Sequence, residues 1–241
     1  MAMTVRYLLV SIALISLAGS CRAQKPVERK KQEPVAVVKQ KHAALSPTER
    51  AELRFPPDLI AMIELAAGAE AEPFFATVVM HSENLKGEQG FERGKLAGFS
   101  VHTKNGDELI DSYRAGLRVK GYLIFKSHKG YGSLADIVTV IRGNNSYDIL
   151  KIQGTEAQNY RLDTKAIIAW LRARQQEGTF VVTGAGMDWL EARFIKPPPD
   201  MEPFAKKIAA FAPDVLEQGP RTSGKLAERM KKSNGFFLVW D

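Results

Sequence analysis

Apolar and polar positions divide the chain into a leader, a polar stretch and a long domain with regular periods. Residues 7–17 are uncharged and mostly apolar, follow Arg6 and precede the small residues 18–20. This layout is typical of a secretory signal peptide, and the apolar run is too short for an ordinary transmembrane helix. Residues 22–45 lack a helix or strand period, which is typical of a flexible tether. We therefore predict three parts: a signal peptide at 1–20, a basic tether at 21–54 and a globular domain at 55–241.

Within the domain, strand-like and helix-like periods alternate. Short β-branched and apolar runs indicate strands, and apolar residues spaced by three or four indicate amphipathic helices. Strands are predicted at residues 77–81, 96–103, 119–126, 136–142, 147–153, 179–183, 187–195 and 236–240, with a loop at 82–95. Helices are predicted after Ser46 and Asp58, at 106–115, 164–176 and 204–211, and after Ser223. This order predicts a single α+β domain with a mixed or antiparallel sheet and helices packed mainly on one face.

Three short motifs indicate how these elements begin and turn. Ser46 and Glu49 have the spacing of a capping box at a helix start. Either Asp163 or Thr164 is expected to cap the helix that follows, since both residue types favour that position. Residues 143–145, Gly-Asn-Asn, separate two β-type runs. Glycine and asparagine tolerate positive φ, so a hairpin turn is predicted there.

Positive charge is concentrated at the start of the chain. Residues 1–50 carry nine Lys or Arg and three Glu, whereas the rest of the chain carries 25 basic and 24 acidic side chains. The formal net charge of +7 therefore belongs almost wholly to the leader and tether. A nucleic-acid-binding domain usually carries a basic face of its own. The sequence consequently argues against nucleic acid as a partner.

Cys21 is the only cysteine of the chain and directly follows the small residues of the leader. It is a candidate for lipid modification, which would anchor the protein to a membrane. Leu17 and Ala18 depart from a lipoprotein signal, because the large aliphatic residue stands one place too early. Ordinary cleavage after Ala23 is the alternative, and the sequence leaves both open. Both predict export to the periplasm or cell envelope.

The sequence contains no motif that indicates a metal, a cofactor or a covalent mechanism. The four histidines lack the spacing of a metal site; they are His42, His81, His102 and His128. A Gly-x-Ser-x-Gly motif for a nucleophile is absent. Gly-Ala-Gly at residues 184–186 follows a predicted strand but lacks the third glycine of a dinucleotide motif. We expect a turn or bulge there, no metal and no cofactor.

Acidic and aromatic residues in the second half are the candidates for a binding site. An aromatic surface beside carboxylates can bind a basic or amide-bearing partner. The hypothesis is a groove at the sheet edge that binds a protein or small ligand of the envelope. Asp188 and Asp214 could equally bind backbone amides of turns or caps. The candidate binding residues are Tyr147, Asp148, Asp188, Trp189, Asp214, Gln218, Trp240 and Asp241.

Two other functions stay open at this point. The carboxylates could serve a hydrolase or transferase that acts on cell-envelope material. Asp188 and Glu191 weaken this alternative, because an odd separation in a strand places two side chains on opposite faces. The protein could also be a structural lipoprotein without a discrete site.

Six short stretches of the domain together resemble a bacterial family. They are residues 121–125, 147–150, 159–160, 184–189, 213–219 and 237–241. Through them the chain resembles the domain-of-unknown-function family 4253, over a span from near residue 58 to residue 241. Members of that family typically end in Trp-Trp-Asp, whereas this chain has Val239 before Trp240 and Asp241. They often have a cysteine where this chain has Ala212. The resemblance implies no particular activity.

Overall fold

A computed structural model describes residues 43–80 and 90–241. The predicted signal peptide, Cys21 and most of the predicted tether lie outside the described residues, as do His42 and His81. In the parts of the chain that the structure describes, no helix combines the length and the apolar character needed to cross a membrane. The helices are α1 (Pro47–Leu53), α2 (Pro57–Ala67), α3 (Gly106–Val119), α4 (Asp148–Gln153), α5 (Thr164–Arg174), α6 (Met201–Phe211), α7 (Asp214–Glu217) and α8 (Ser223–Ser233), with a short 3-10 helix at Gln158–Tyr160.

The strands within residues 43–80 and 90–241 form one mixed sheet of seven, in the order β1-β2-β4-β3-β5-β6-β7. Neighbouring strands run antiparallel except β3 and β5, which are parallel. Strands β1 and β7 therefore form the two edges. The predicted α+β fold with a mixed sheet is confirmed. The strands are β1 (Glu72–Met80), β2 (Gly90–Thr103), β3 (Tyr122–His128), β4 (Asp136–Arg142), β5 (Thr179–Ala185), β6 (Trp189–Lys196) and β7 (Gly235–Val239).

Helices cover both faces of this sheet, which corrects the prediction that they pack mainly on one. Leu123 and Phe125 of β3 belong to a core cluster that includes residues of α4, α5, α6 and α8. Tyr122 and Ile124 belong to a second cluster, with residues of α1, α2 and α3. Successive strand side chains point to opposite faces, so β3 is buried on both sides. The continuous apolar run of β3 was the sequence signal for burial on both faces, because a strand with one exposed face alternates apolar and polar residues.

Two predicted helix caps are confirmed. Ser46 accepts a hydrogen bond from the backbone N–H of Glu49 at 3.2 Å, and Glu49 accepts one from the backbone N–H of Ser46 at 2.9 Å. Asp163 caps α5 by accepting from the backbone N–H of Ala166 at 2.7 Å. These bonds satisfy backbone donors that a helix start leaves without intrahelical partners.

The predicted hairpin at residues 143–145 is wrong, because a helix follows the turn. Residues 147–153 contain α4 where the sequence analysis expected a strand. A short apolar run cannot be distinguished from a buried helical turn by periodicity alone. Gly154 adopts a left-handed backbone (φ 60°) directly after α4. Glycine commonly ends a helix in this way, so the sequence did contain a signal for the helix.

Two other details differ from expectation, and one agrees. Strand β2 starts at Gly90, so residues 90–95 are strand where a loop was predicted. Thr222, and not Ser223, caps α8 by accepting from the backbone N–H of Lys225 at 3.3 Å. The register between β5 and β6 shifts just before Gly184. This irregularity agrees with the turn or bulge predicted for the Gly-Ala-Gly stretch.

The folded body begins upstream of the boundary predicted at residue 55. Helix α1 lies within the predicted tether, yet Leu45 and Leu53 are buried in one cluster with Phe55 and Leu59. Burying such side chains removes apolar surface from water and stabilises the fold. Residues 45–54 are therefore part of the domain.

Candidate functional site

An open groove of about 350 Å³ runs along the edge strand β7. Val215, Leu226 and Met230, from α7 and α8, supply buried apolar side chains to its lining. Arg229 of α8 is exposed and also lines it, and Phe237 contributes an aromatic ring from β7. A concave surface with apolar lining and a few charged groups is the usual form of a ligand site. We refer to it as the β7 groove.

Beside the β7 groove, a buried lysine meets three carboxylates. Lys126 of β3 is only 2% exposed. Its Nζ lies 3.0 Å from Oδ1 of Asp107, 3.3 Å from Oε2 of Glu191 and 3.5 Å from Oδ2 of Asp136. Two further cations pair with these carboxylates, so the charges balance. The resulting Lys126 cluster comprises Lys126, Lys129, Arg193, Asp107, Asp136 and Glu191.

In this cluster, the attraction between opposite charges shifts the pKa values more than burial does. Burial alone would lower the pKa of Lys126, but the carboxylates of Glu191, Asp107 and Asp136 raise it overall. Partial burial would raise the pKa of Asp107, but its contacts with Lys126 and Arg193 lower it overall. Both shifts favour the charged forms, so Lys126 and Asp107 remain an ion pair at neutral pH.

The Lys126 cluster holds the loop between β3 and β4, which borders the groove. Asp136 accepts a hydrogen bond from the backbone N–H of Gly130 at 2.8 Å. Lys129, at the start of the loop, pairs with Glu191. Tyr131 projects from the loop, is 68% exposed and lines the β7 groove. A buried charge network thus positions an exposed aromatic side chain at the groove.

Residues from three of the family-like stretches meet in a second polar cluster. Asp214 is buried and accepts hydrogen bonds from the Tyr160 hydroxyl and from the backbone N–H of Asp241, both at 2.6 Å. Gln218 donates to the Asp241 carboxylate at 3.2 Å, and the Asn159 amide donates to the main-chain oxygen of Asp241 at 2.9 Å. We refer to these five residues as the Asp214 cluster. Gln218 also lines the β7 groove, so this cluster borders it too.

Trp240 belongs to the packing around the Asp214 cluster. Its side chain lies edge-on to Phe211, with ring centroids 5.7 Å apart, and the residue is 3% exposed. The indole Nε1–H donates to the carbonyl of Phe211 at 3.2 Å. The backbone N–H of Trp240 donates to the carbonyl of Asp188 at 2.9 Å. Trp240 therefore joins the end of the sheet to α6, and it offers little surface to a partner.

Tyr160, a member of this cluster, and Asp188, which lies beside it, have raised pKa values. The hydrogen bond to Asp214, followed by burial and by nearby carboxylate charge, raises the pKa of Tyr160 to about 12. Partial burial and, to a lesser degree, the charge of Asp241 raise the pKa of Asp188. Both shifts favour the neutral form. The Tyr160 hydroxyl is therefore a donor to the Asp214 carboxylate at neutral pH.

Three predicted binding residues lie apart from the hydrogen bonds of the Asp214 cluster. Tyr147 is buried before α4, and its hydroxyl accepts from the Gln175 amide at 3.0 Å. Asp148 forms an ion pair within its own helix. Trp189 stacks on Phe237, with ring centroids 6.0 Å apart. Of these three, only Trp189 contacts a residue that lines the β7 groove.

Sequence reasoning missed the Lys126 cluster, because its members come from separate elements. Asp107 lies in the first turn of α3, Lys126 lies in β3 and Glu191 lies in β6. One local signal was present: Lys126 continues an apolar run of the kind found in strands buried on both faces. A buried charge requires a partner of opposite sign. The lysine could have been flagged in this way, but its partners could not.

One of three comparisons with known proteins found a match, and it covers the later part of the chain. Neither a comparison with curated proteins nor one with solved structures found a match. A family model does match from β4 onward, so the stretch at residues 121–125 lies upstream of it. Residues 137–241 match the family described as "Domain of unknown function (DUF4253)", which confirms the predicted resemblance over this part of the chain.

Proposed function

We propose that this protein is an exported, envelope-associated binding module whose ligand lies in the β7 groove. The observation that carries the proposal is the groove itself, which combines buried apolar side chains with exposed Tyr131 and Arg229. Aromatic and arginine side chains around an apolar centre are the groups that contribute most to binding energy in protein interfaces. The ligand is a protein or a small molecule of the envelope.

The arrangement of the Lys126 cluster supports a binding role. Asp136 and Glu191 fix the start of the loop between β3 and β4, which carries Lys129 and Tyr131 (the Tyr131 loop), through contacts within the protein itself. A ligand that meets a preformed surface loses less free energy in ordering it. The buried charges thus have a role in holding the binding surface ready.

The same contacts favour binding over the hydrolase or transferase alternative. A carboxyl group that acts as a general acid or base must be able to exchange a proton with the substrate. Glu191 and Asp107, which line the groove, are each held in ion pairs with two cations. Asp214 already accepts hydrogen bonds from two donors. These carboxylates serve the fold and the shape of the groove.

Two double variants test the binding proposal. Tyr131→Ala with Arg229→Ala removes two groove side chains. Leu134→Ala with Lys225→Ala is the matched control, because Leu134 is 63% exposed in the same loop and Lys225 is exposed on the same helix, and neither lines the groove. Full-length protein captures ligands from envelope extract, and mass spectrometry quantifies them. We expect the groove variant to lose about ten-fold in retained ligand and the control to match wild type. Equal retention by all three proteins would contradict the proposal.

Export and anchoring form the second part of the proposal. The apolar run at residues 7–17 followed by Cys21 supports a cleaved leader and lipid attachment. Membrane fractionation of wild type and Cys21→Ser tests this directly. We expect the wild type in the membrane fraction and the variant in the soluble periplasm. An unchanged distribution rules out the lipid, and an unprocessed chain in the cytosol rules out export.

A further inference from the structure

We propose that the occupant of the β7 groove is an extended, acidic polypeptide segment that adds to β7 as a further strand of the sheet. This inference rests on the proposed function and specifies its partner. Strand β7 is the last strand of the sheet and pairs with β6 alone among the described strands. Its other edge therefore presents backbone N–H and C=O groups, which an extended peptide can pair with.

The two sides of the groove are placed to contact the alternating side chains of an added strand. Phe237 and Val239 point to one face of the sheet, and Phe236 and Leu238 to the other. Phe237 meets Lys129, whose Nζ lies 4.6 Å from the ring centroid. Phe236 and Leu238 pack in the core cluster that also contains Leu226 and Met230. Alternate side chains of an added strand would thus meet the Tyr131 loop on one face and α8 on the other.

Charge selects an acidic segment. In the part of the chain from the start of α7 to the end of α8, residues 214–233, five side chains are basic and three are acidic, which gives a net charge of +2. Arg229, the charged residue of this part that lines the groove, forms no ion pair with any described residue. Across the groove, Lys129 and Arg193 already pair with Glu191 and Asp107. The unbalanced charge is therefore positive and lies on the helical side.

A selection with displayed peptides tests this partner. The full-length protein is presented to phage that display short random peptides, and the enriched sequences are synthesised. We expect enrichment of extended sequences that contain Asp or Glu and alternate with β-branched residues. Arg229→Glu should weaken their binding about ten-fold, whereas Lys225→Glu, outside the groove, should weaken it far less. Methylation of alternate backbone nitrogens should abolish binding, because it removes donors and leaves the side chains in place.

Each other outcome overturns the inference in a distinguishable way. The partner is not an acidic strand if the selection enriches helical or basic sequences, or enriches none. The same conclusion follows if the peptides still bind fully after backbone methylation. If the groove variant Tyr131→Ala/Arg229→Ala still loses envelope ligands in that case, the groove binds something else and the proposed function stands. A concentration-dependent dimer that Arg229→Glu dissociates would make a second copy of this chain the occupant, and would replace the acidic segment.

Discussion

The two polar clusters that border the β7 groove are built in opposite ways. The Lys126 cluster consists of full charges, and its central ammonium is buried among carboxylates from two strands and a helix. The Asp214 cluster consists of four hydrogen bonds between three short stretches of the chain, two of them to the Asp214 carboxylate and two to Asp241. The Trp240-Asp241 motif, which stands out in the sequence, therefore holds α6 and α7 against the sheet. Lys126, which does not stand out in the sequence, anchors the carboxylates that hold the loop with Tyr131 at the groove.

The largest effect is expected from removing the cation of the Lys126 cluster. Lys126→Met keeps an unbranched chain but leaves Asp107, Asp136 and Glu191 without their central partner. Breaking a buried ion pair from one side typically costs about 3–5 kcal/mol in the free energy of unfolding. Chemical denaturation measures this cost. Lys120→Met, at an exposed position after α3, is the control and should change stability by about 0.5 kcal/mol or less. Equal effects of the two changes would mean that the cluster is not stabilised by its lysine.

A smaller loss is expected from the Asp214 cluster. Asp214→Ala leaves the Tyr160 hydroxyl and the Asp241 backbone N–H without their acceptor. Hydrogen bonds to a charged acceptor typically contribute about 1.5–3 kcal/mol. Denaturant unfolding measures the loss, with the exposed Asp111→Ala as the control. A loss as large as that of Lys126→Met would remove the distinction drawn between the two clusters.

The Asp214 cluster should also show its own dependence on alkaline pH. Tyr160 has an ordinary pKa of 10.0 in the unfolded chain and a pKa raised to about 12 in the folded state. Between these values the folded protein retains a proton that the unfolded chain has lost, so stability falls as pH rises. Unfolding of wild type and Tyr160→Phe across this range measures the effect. We expect the stability advantage of wild type to shrink from about pH 10 to about pH 12. A constant difference would contradict the assignment of the raised pKa to the bond with Asp214.

The smallest effect on stability is expected at Val239, where the chain departs from the family that it resembles. Val239→Trp introduces the residue that the resemblance leads us to expect, and Val239 is half-buried and lines the β7 groove. We expect a stability change of about 0.5 kcal/mol or less, because the site can extend into the groove. The amount of ligand captured from envelope extract should change by a larger fraction than the free energy of unfolding does. Strong destabilisation would show that position 239 belongs to the core and not to the groove.

Local signals predicted local structure well. The capping box at Ser46, the cap at Asp163 and the bounds of β4 agree with the sequence analysis, because each depends on a few neighbouring residues. Helix α4 was missed because six apolar and polar residues fit a strand and a helical turn equally well. Packing against the core decides between them, and a single sequence does not show it.

The residues of the β7 groove could be predicted from the sequence only in part. A binding site at the sheet edge was expected, and Gln218 was among its predicted residues. Tyr131, Arg229 and Lys126 were not predicted, since their roles depend on which strand forms the edge and which loop lies beside it. Strand order is set by pairings distant in sequence, such as the parallel contact between Lys126 and Gly184. Only the folded sheet reveals that order.

Backbone hydrogen exchange at β7 tests the binding account most directly. The measurement compares the amides of Phe236 to Val239 in the free protein and after saturation with the ligand captured from envelope extract. Strand addition predicts that the outward-facing amides of β7 become strongly protected, together with those of the loop around Tyr131. Unchanged exchange at β7, with new protection confined to another surface, would show that the ligand does not bind in this groove.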